Sequence, residues 1–327
     1  MARMRAAVLD APGPPSALSI REVDLPIPKS GWVLIRVHAF GLNRSELHFR
    51  RGMGSFGSFP RIPGIEAAGV VVECPGGEIE IGTQVMALMG GMGRTIDGGY
   101  AEFVCVPVSS AVVFVSSLGW DVLGAVPEML QTAHGSLTVG TDVGAGQSLL
   151  IRGGTSSVGL ALAVLARRAG ATVFTTTRNA ARSDFLGQFA DHVLIDDGAI
   201  AEQIRRVLPD GVDGAVELVG TNTLPDTLRA VRPKGTVCFT GMLSDQWTIP
   251  DFYPMDYLPT GVRLTAYAGE AANLPSTVLQ PYLDDAAAGR TPVPIGRVYR
   301  LNEIAQAHQD MEDGNLLGKG VILTEQV

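Results

Sequence analysis

Two rhythms of apolar residues divide the chain. Up to about residue 115 they alternate over short runs. In "WVLIRVHAF" (32–40), Val33, Ile35 and Val37 fall on one face, and "GVVVE" (69–73), "TQVMAL" (83–88) and "YAEFVCVPV" (100–108) read as further strands. Alternation punctuated by Gly and Pro predicts an antiparallel, barrel-like β region. Beyond about residue 120 the apolar stretches become short and continuous: "SLLI" (148–151), "TVFTT" (172–176), "HVLI" (192–195), "GAVELV" (214–219) and "TVCFTG" (236–241). Helical segments separate them, which predicts a parallel sheet covered on both faces. The clearest helix is "LALAVLARRAG" (160–170), with Arg167 and Arg168 in its last turn and Gly170 as its stop. The tail offers an amphipathic helix, "LNEIAQAHQDMEDG" (301–314), and a strand, "GKGVIL" (318–323), and is expected to return to the first region.

Composition narrows the class. The 327 residues are 46% hydrophobic and 18% charged, with 40 glycines, as in an ordinary globular protein of two domains. A net charge of −8 gives no reason to expect nucleic acid or an anionic membrane as partner. No apolar run has the roughly 18 residues of a membrane span, and the start lacks a signal-peptide core. Cys74, Cys105 and Cys238 are widely spaced and form no disulfide framework, so a cytoplasmic protein is expected.

Chemistry enters with "GGTSSVG" (153–159), between a predicted strand and helix. Aligned as Gly154-x-Ser156-x-x-Gly159, it resembles a dinucleotide loop with serine for the middle glycine. Gly154 makes the turn, and Gly159 lets helix pack on strand. Thr155, the hydroxyls of Ser156 and Ser157, and the N–H groups near Val158 supply an anion site. About 20 residues further on, NAD-binding folds place an acid on the ribose 2′-hydroxyl. Here Thr177 is followed by Arg178 and then Arg182, which favours the 2′-phosphate of NADPH if both share a helix face. Asp196 and Asp197, after the next strand, would oppose a phosphate.

Over essentially its full length the chain resembles the zinc-independent quinone oxidoreductases of the medium-chain dehydrogenase/reductase superfamily. The resemblance rests on "VHAFGLNRSELHFRRG" (37–52), "PRIPGIEAAGVV" (60–71), "GGYAEFVCVP" (98–107), the loop, and the ending "AHQDMEDGNLLGKGVIL" (307–323). It implies an α/β protein: a GroES-like β-rich catalytic domain (1–122 and 262–327) around a Rossmann doubly wound parallel sheet (123–261), with an active cleft. It also implies a homodimer joined through the sheets near 236–266. Metal-dependent relatives place zinc ligands where this chain has Asn43, Ile65 and "MLQTAH" (129–134). Asn43 and Ile65 cannot serve as zinc ligands, so no metal is expected.

Without a Lewis acid, alcohol oxidation is a poor match, and hydride transfer from NADPH to a quinone or α,β-unsaturated carbonyl is a better one. The resemblance places Asn43 beside the nicotinamide end, although Asn also suits a helix cap. His48 falls where several relatives carry a tyrosine and is the candidate proton donor. Thr132 matches a threonine near the nicotinamide, while His38 reads as structural. Val219, Gly220 and Gly241, at the ends of predicted strands, and Lys319 in the tail complete the expected cofactor contacts. Glu66 reads as a buried hydrogen-bonding residue. Tyr253 and Tyr257 suit a substrate pocket or a dimer contact. An enoyl-thioester reductase and a non-catalytic NADPH-binding protein are the alternatives.

Overall fold

Alternation in the first third of the chain does become strand. In the computed structural model, which describes residues 2–53 and 57–325, the N-terminal strands are β1 (Arg3–Leu9), β2 (Leu18–Asp24), β3 (Trp32–Gly41), β4 (Glu66–Glu73), β5 (Gln84–Leu88), β6 (Phe103–Pro107) and β7 (Ala111–Val113). Helix α1 (Arg44–Arg50) follows β3, and α2 (Trp120–Leu123) and α3 (Pro127–Gly135) close this part. Strand and helix then alternate: β8 (Ser148–Arg152), α4 (Ser157–Arg168), β9 (Thr172–Thr177), α5 (Ser183–Leu186), β10 (His192–Ile195), α6 (Ile200–Val207) and β11 (Val212–Glu217). Next come α7 (Leu224–Ala230), β12 (Val231–Phe239), α8 (Pro254–Tyr257) and β13 (Arg263–Ala266). The tail carries α9 (Ser276–Ala287), β14 (Ile295–Arg300), α10 (Ile304–Glu312) and β15 (Lys319–Leu323).

The chain forms two compact units, Met1–Gln131 with Gly269–Val327, and Thr132–Ala268. These limits differ from the pattern-based 122/123 and 261/262 for two reasons. Helix α2 spans residue 122, so the first limit moves on to residue 131 within α3, and Arg263–Ala266 is a sixth strand of the parallel sheet, too short to announce itself.

The first unit is GroES-like. A seven-stranded sheet runs β14-β15-β3-β4-β5-β7, with β6 also on β3, and β1 and β2 form a separate antiparallel pair. The tail does return: Val321 pairs with Gly41 and Leu323 with Ala39, antiparallel. Its core contains Val33, Ile35 and Val37 from the alternating face of β3, with Phe40, Tyr100 and Ile322. His38 points the other way, stacked on Trp120 at 4.4 Å and paired with Glu325 at 3.1 Å, a structural role.

The second unit is a Rossmann sheet in the order β10-β9-β8-β11-β12-β13, every pairing parallel. Order reverses between β8 and β11, and ligands bind such sheets beyond the strand ends near that point. Its helices pack Ile200, Ile204, Leu224 and Leu228 over Leu150, Ala215 and Val237. No helix among the described residues is long and apolar enough to cross a membrane.

Candidate functional site

The loop from β8 to α4 is shaped by glycines that cannot be replaced freely. Gly153 has φ +96°, a left-handed conformation that disfavours other residues. A Cβ on Gly154 would collide with Thr175 Oγ1 on β9, and one on Gly159 would lie 2.8 Å from the Gly153 carbonyl oxygen. The helix start therefore lies directly on the strand ends. Ser156 is the N-cap: its hydroxyl donates to Gly153 O at 2.8 Å and accepts the Gly159 N–H at 3.1 Å. In this arrangement the hydroxyl proton that was expected to reach a phosphate is directed inside the loop. Thr155, Ser157 and Val158 are half-buried, in the first turn or just before it. The leading N–H groups of a helix lack intrahelical acceptors and favour an anion.

At the end of β9, Thr177 is buried and accepts the Asn179 N–H at 3.1 Å. Arg178 lies just past the strand and Arg182 ends a 3₁₀ turn, Ala180–Arg182. The expected shared helix face does not form, because Asn179 caps the turn through the Ala181 N–H and breaks helical phase. Both arginines reach solvent, and neither makes an ion pair among the described residues. The two acids beyond β10 are otherwise engaged. Asp196 pairs with Arg152 at 2.7 Å, and Asp197 accepts the Ala199 N–H at 3.0 Å in the turn just before α6.

Val219 and Gly220 follow β11, and Gly241 follows β12. The Val219 and Gly220 N–H groups donate to Glu217 Oε1 at 2.7 and 3.1 Å. Gly220 has φ +149°, and a Cβ on Gly241 would meet the Leu218 carbonyl oxygen at 2.6 Å. Thr132, on α3, accepts the Ser136 hydroxyl at its carbonyl. Tyr253 is exposed, and Tyr257 is half-buried.

The first unit holds a buried polar cluster that spacing alone did not reveal. Lys319, expected among cofactor contacts, is instead enclosed: its ammonium lies 2.8 Å from Glu66 Oε1 and 3.5 Å from Glu128 Oε2, and it donates to Asn43 Oδ1. Burial opposes its charge, but Glu66 and Glu128 more than offset this and hold it above the ordinary ammonium range. Glu66 accepts Lys319, the Asn43 amide at 2.8 Å and the Glu128 N–H at 2.8 Å. The Asn43 amide also reaches Glu46 Oε1 at 3.3 Å, and Glu46 takes the Asn43 backbone N–H at 3.1 Å, bracing the start of α1. Asn43 thus has both amide protons directed at carboxylates; only a lone pair on Oδ1 remains for a ligand. Glu46 is fully buried, and burial pushes its carboxyl up to about 7 although Arg94 and the Ile65 N–H pull it down. His48, two residues beyond Glu46 on α1, is also buried. The sequence signal for this cluster was Glu66 alone, read as a buried hydrogen-bonding residue; Glu46 was missed, and the role of Lys319 required the return of β15.

A GroES-like β unit and a Rossmann unit with a glycine-rich β8–α4 loop are the architecture of the medium-chain dehydrogenase/reductases. Residues 29–117 match the alcohol dehydrogenase GroES-like domain and residues 186–322 the zinc-binding dehydrogenase domain. Quinone oxidoreductase of Mus musculus is 28% identical over 333 residues, covering 98% of each chain. The solved structure of AibC superposes with a TM-score of 0.89 at 29% identity, over 99% of this chain and 96% of that one. A mycobacterial protein solved in complex with NADPH gives a TM-score of 0.86 at 26% identity, over 98% and 100%. Over nearly its whole length the chain is similar to the quinone oxidoreductases of the medium-chain dehydrogenase/reductase superfamily. It is an oxidoreductase with a nicotinamide cofactor and a small-molecule substrate.

Proposed function

We propose that the protein is a zinc-independent, NADPH-dependent reductase of quinones or α,β-unsaturated carbonyls. The observation that carries the cofactor preference is the state of the β9 end: Arg178 and Arg182 have no ion pair among the described residues, and the nearby acids are engaged elsewhere. Guanidinium groups suit a phosphate because they remain charged and offer forked donors. Thr155, Ser157 and the first N–H groups of α4 would hold the pyrophosphate, with Val219, Gly220 and Gly241 lining the cofactor by their backbone. The mycobacterial relative solved with NADPH supports the same assignment.

The donor set does not fit a catalytic zinc. At the positions that resemble ligand sites, Asn43 is hydrogen-bonded to Glu66 and Lys319, and Ile65 is a buried hydrocarbon. Zinc takes thiolate, imidazole or carboxylate, and an ammonium beside Asn43 disfavours a second cation. The reduced nicotinamide supplies the hydride. The protein's tasks are then to orient the acceptor, exclude water and assist protonation of the product oxygen. His48 is the candidate proton donor, and Asn43 has an acceptor site left for a hydroxyl.

The test is steady-state oxidation of NADPH and NADH by protein dialysed against a chelator, with 1,4-benzoquinone and a simple enone as acceptors. Turnover that favours NADPH and survives chelation supports the reading. Preference for NADH overturns the cofactor assignment, and tight NADPH binding without turnover of quinones, enones or enoyl thioesters overturns catalysis.

A further inference from the structure

Next to Arg178 lies an acid that should compete for it. The parallel register sets Ile195 beside Thr177, and the Asp196 N–H donates to Thr177 O at 2.8 Å. Asp196 therefore leaves the sheet on the strand adjoining the one that ends at Arg178. An unpaired carboxylate here would repel a phosphate dianion and offer Arg178 an internal partner.

Asp196 is held off by Arg152, the last residue of β8, whose side chain is completely buried. Arg152 Nη2 donates to Asp196 Oδ1 at 2.7 Å and Nε donates to Oδ2 at 2.9 Å, a forked pair. The Gly198 N–H adds a further bond to Oδ1 at 3.1 Å. The other arm of Arg152 is pinned as well. Its Nη1 donates to Asp226 at 2.7 Å, the Thr223 carbonyl at 3.1 Å and Thr227 Oγ1 at 3.2 Å. Asp226 itself accepts the Ile200 and Ala201 N–H groups at the start of α6, so the anchor belongs to two helices. Burial works against the guanidinium charge, yet the hydrogen bond and charge of Asp196, with Glu217 and Asp226, carry it above its usual range.

We infer that Arg152 is a positioning residue for cofactor specificity: by clamping Asp196 it leaves Arg178 and Arg182 available to the 2′-phosphate of NADPH. The inference rests on the NADPH reading above. Arg152 touches no part of the phosphate site itself and acts through the acid it neutralises.

The experiment is to titrate NADPH and NADH into the full chain by nucleotide fluorescence and compare the two dissociation constants. The proteins are wild type, Arg152→Met, Asp196→Asn and the double variant. In Arg152→Met the preference for NADPH should fall by about tenfold or more, the size of an unscreened like-charge contact. The double variant should regain it, because the offending charge is gone. Asp196→Asn alone should leave the preference within about threefold, its charge already being compensated. A purely structural Arg152 would weaken both nucleotides together, so a folded Arg152→Met with unchanged preference overturns the inference. If Arg152→Met does not fold, Asp196→Asn decides: a gain in NADPH affinity of about tenfold would show that the carboxylate opposed the phosphate all along and overturn it. Wild type preferring NADH overturns the NADPH reading and the inference with it.

Discussion

Lys319 and His308 show how single buried groups in the first unit constrain it. Breaking a buried ion pair from one side leaves an uncompensated charge, at a cost of about 3–5 kcal/mol. Lys319→Met is therefore expected to destabilise by that amount in urea unfolding, since Glu66 and Glu128 remain. His308 is pushed down to about 3 by burial and by Arg50. Arg50 Nε donates to its Nδ1 at 3.3 Å, so the ring proton sits on Nε2 and is given to Tyr100 at 3.0 Å. Between pH 6.5 and about 3 the unfolded chain binds a proton that folded His308 refuses. Stability should therefore fall as pH falls through this window, by up to about 1.4 kcal/mol per unit from this residue. His308→Gln should show a shallower acid slope in denaturant melts measured from pH 7 to 4.

At the scale of elements, the proposed function makes nucleotide binding depend on the approach of α4 to β9. Thr175 Oγ1 is buried without a hydrogen-bond partner among the described residues, and it occupies the place where a Cβ on Gly154 would fall. Gly154→Ala should push the helix start off the strand and weaken NADPH at least about tenfold, with a far smaller loss of thermal stability. Thr175→Ala added to it should restore part of the affinity, because the collision is with a hydroxyl that has no hydrogen-bond partner among the described residues. Isothermal titration of the three proteins checks this; equal weakening with and without the second substitution would show that the turn conformation, not the collision, is at fault. Strand and helix positions around this loop were legible from sequence, because continuous apolar runs and a basic last turn report local structure. The phase between Arg178 and Arg182 was not legible, since the Asn179 cap intervenes.

For the molecule as a whole, the decisive connection is the tail. Strand β15 joins β14 to β3 and brings Lys319 into the buried cluster. Ending the chain after Gly318 removes Val321 and Ile322 from the core together with the counter-charge of Glu66. Such a protein should lose the first unit's cooperative melt in circular dichroism while any remaining transition belongs to Thr132–Ala268. An unchanged melting profile would show that β15 is dispensable.

Local information in the sequence was enough for the two rhythms of secondary structure, the strand–loop–helix passage around Gly154 and the family resemblance. These depend on residue types at short spacing, where periodicity and turn chemistry act. The tertiary structure decided which partner each charge found. It paired Lys319 with Glu66 across 253 positions of chain and Arg152 with Asp196 across 44. It also turned both amide protons of Asn43 inward, toward Glu66 and Glu46. Coulomb energy and hydrogen-bond geometry depend on separation in space, which only the closed sheets define.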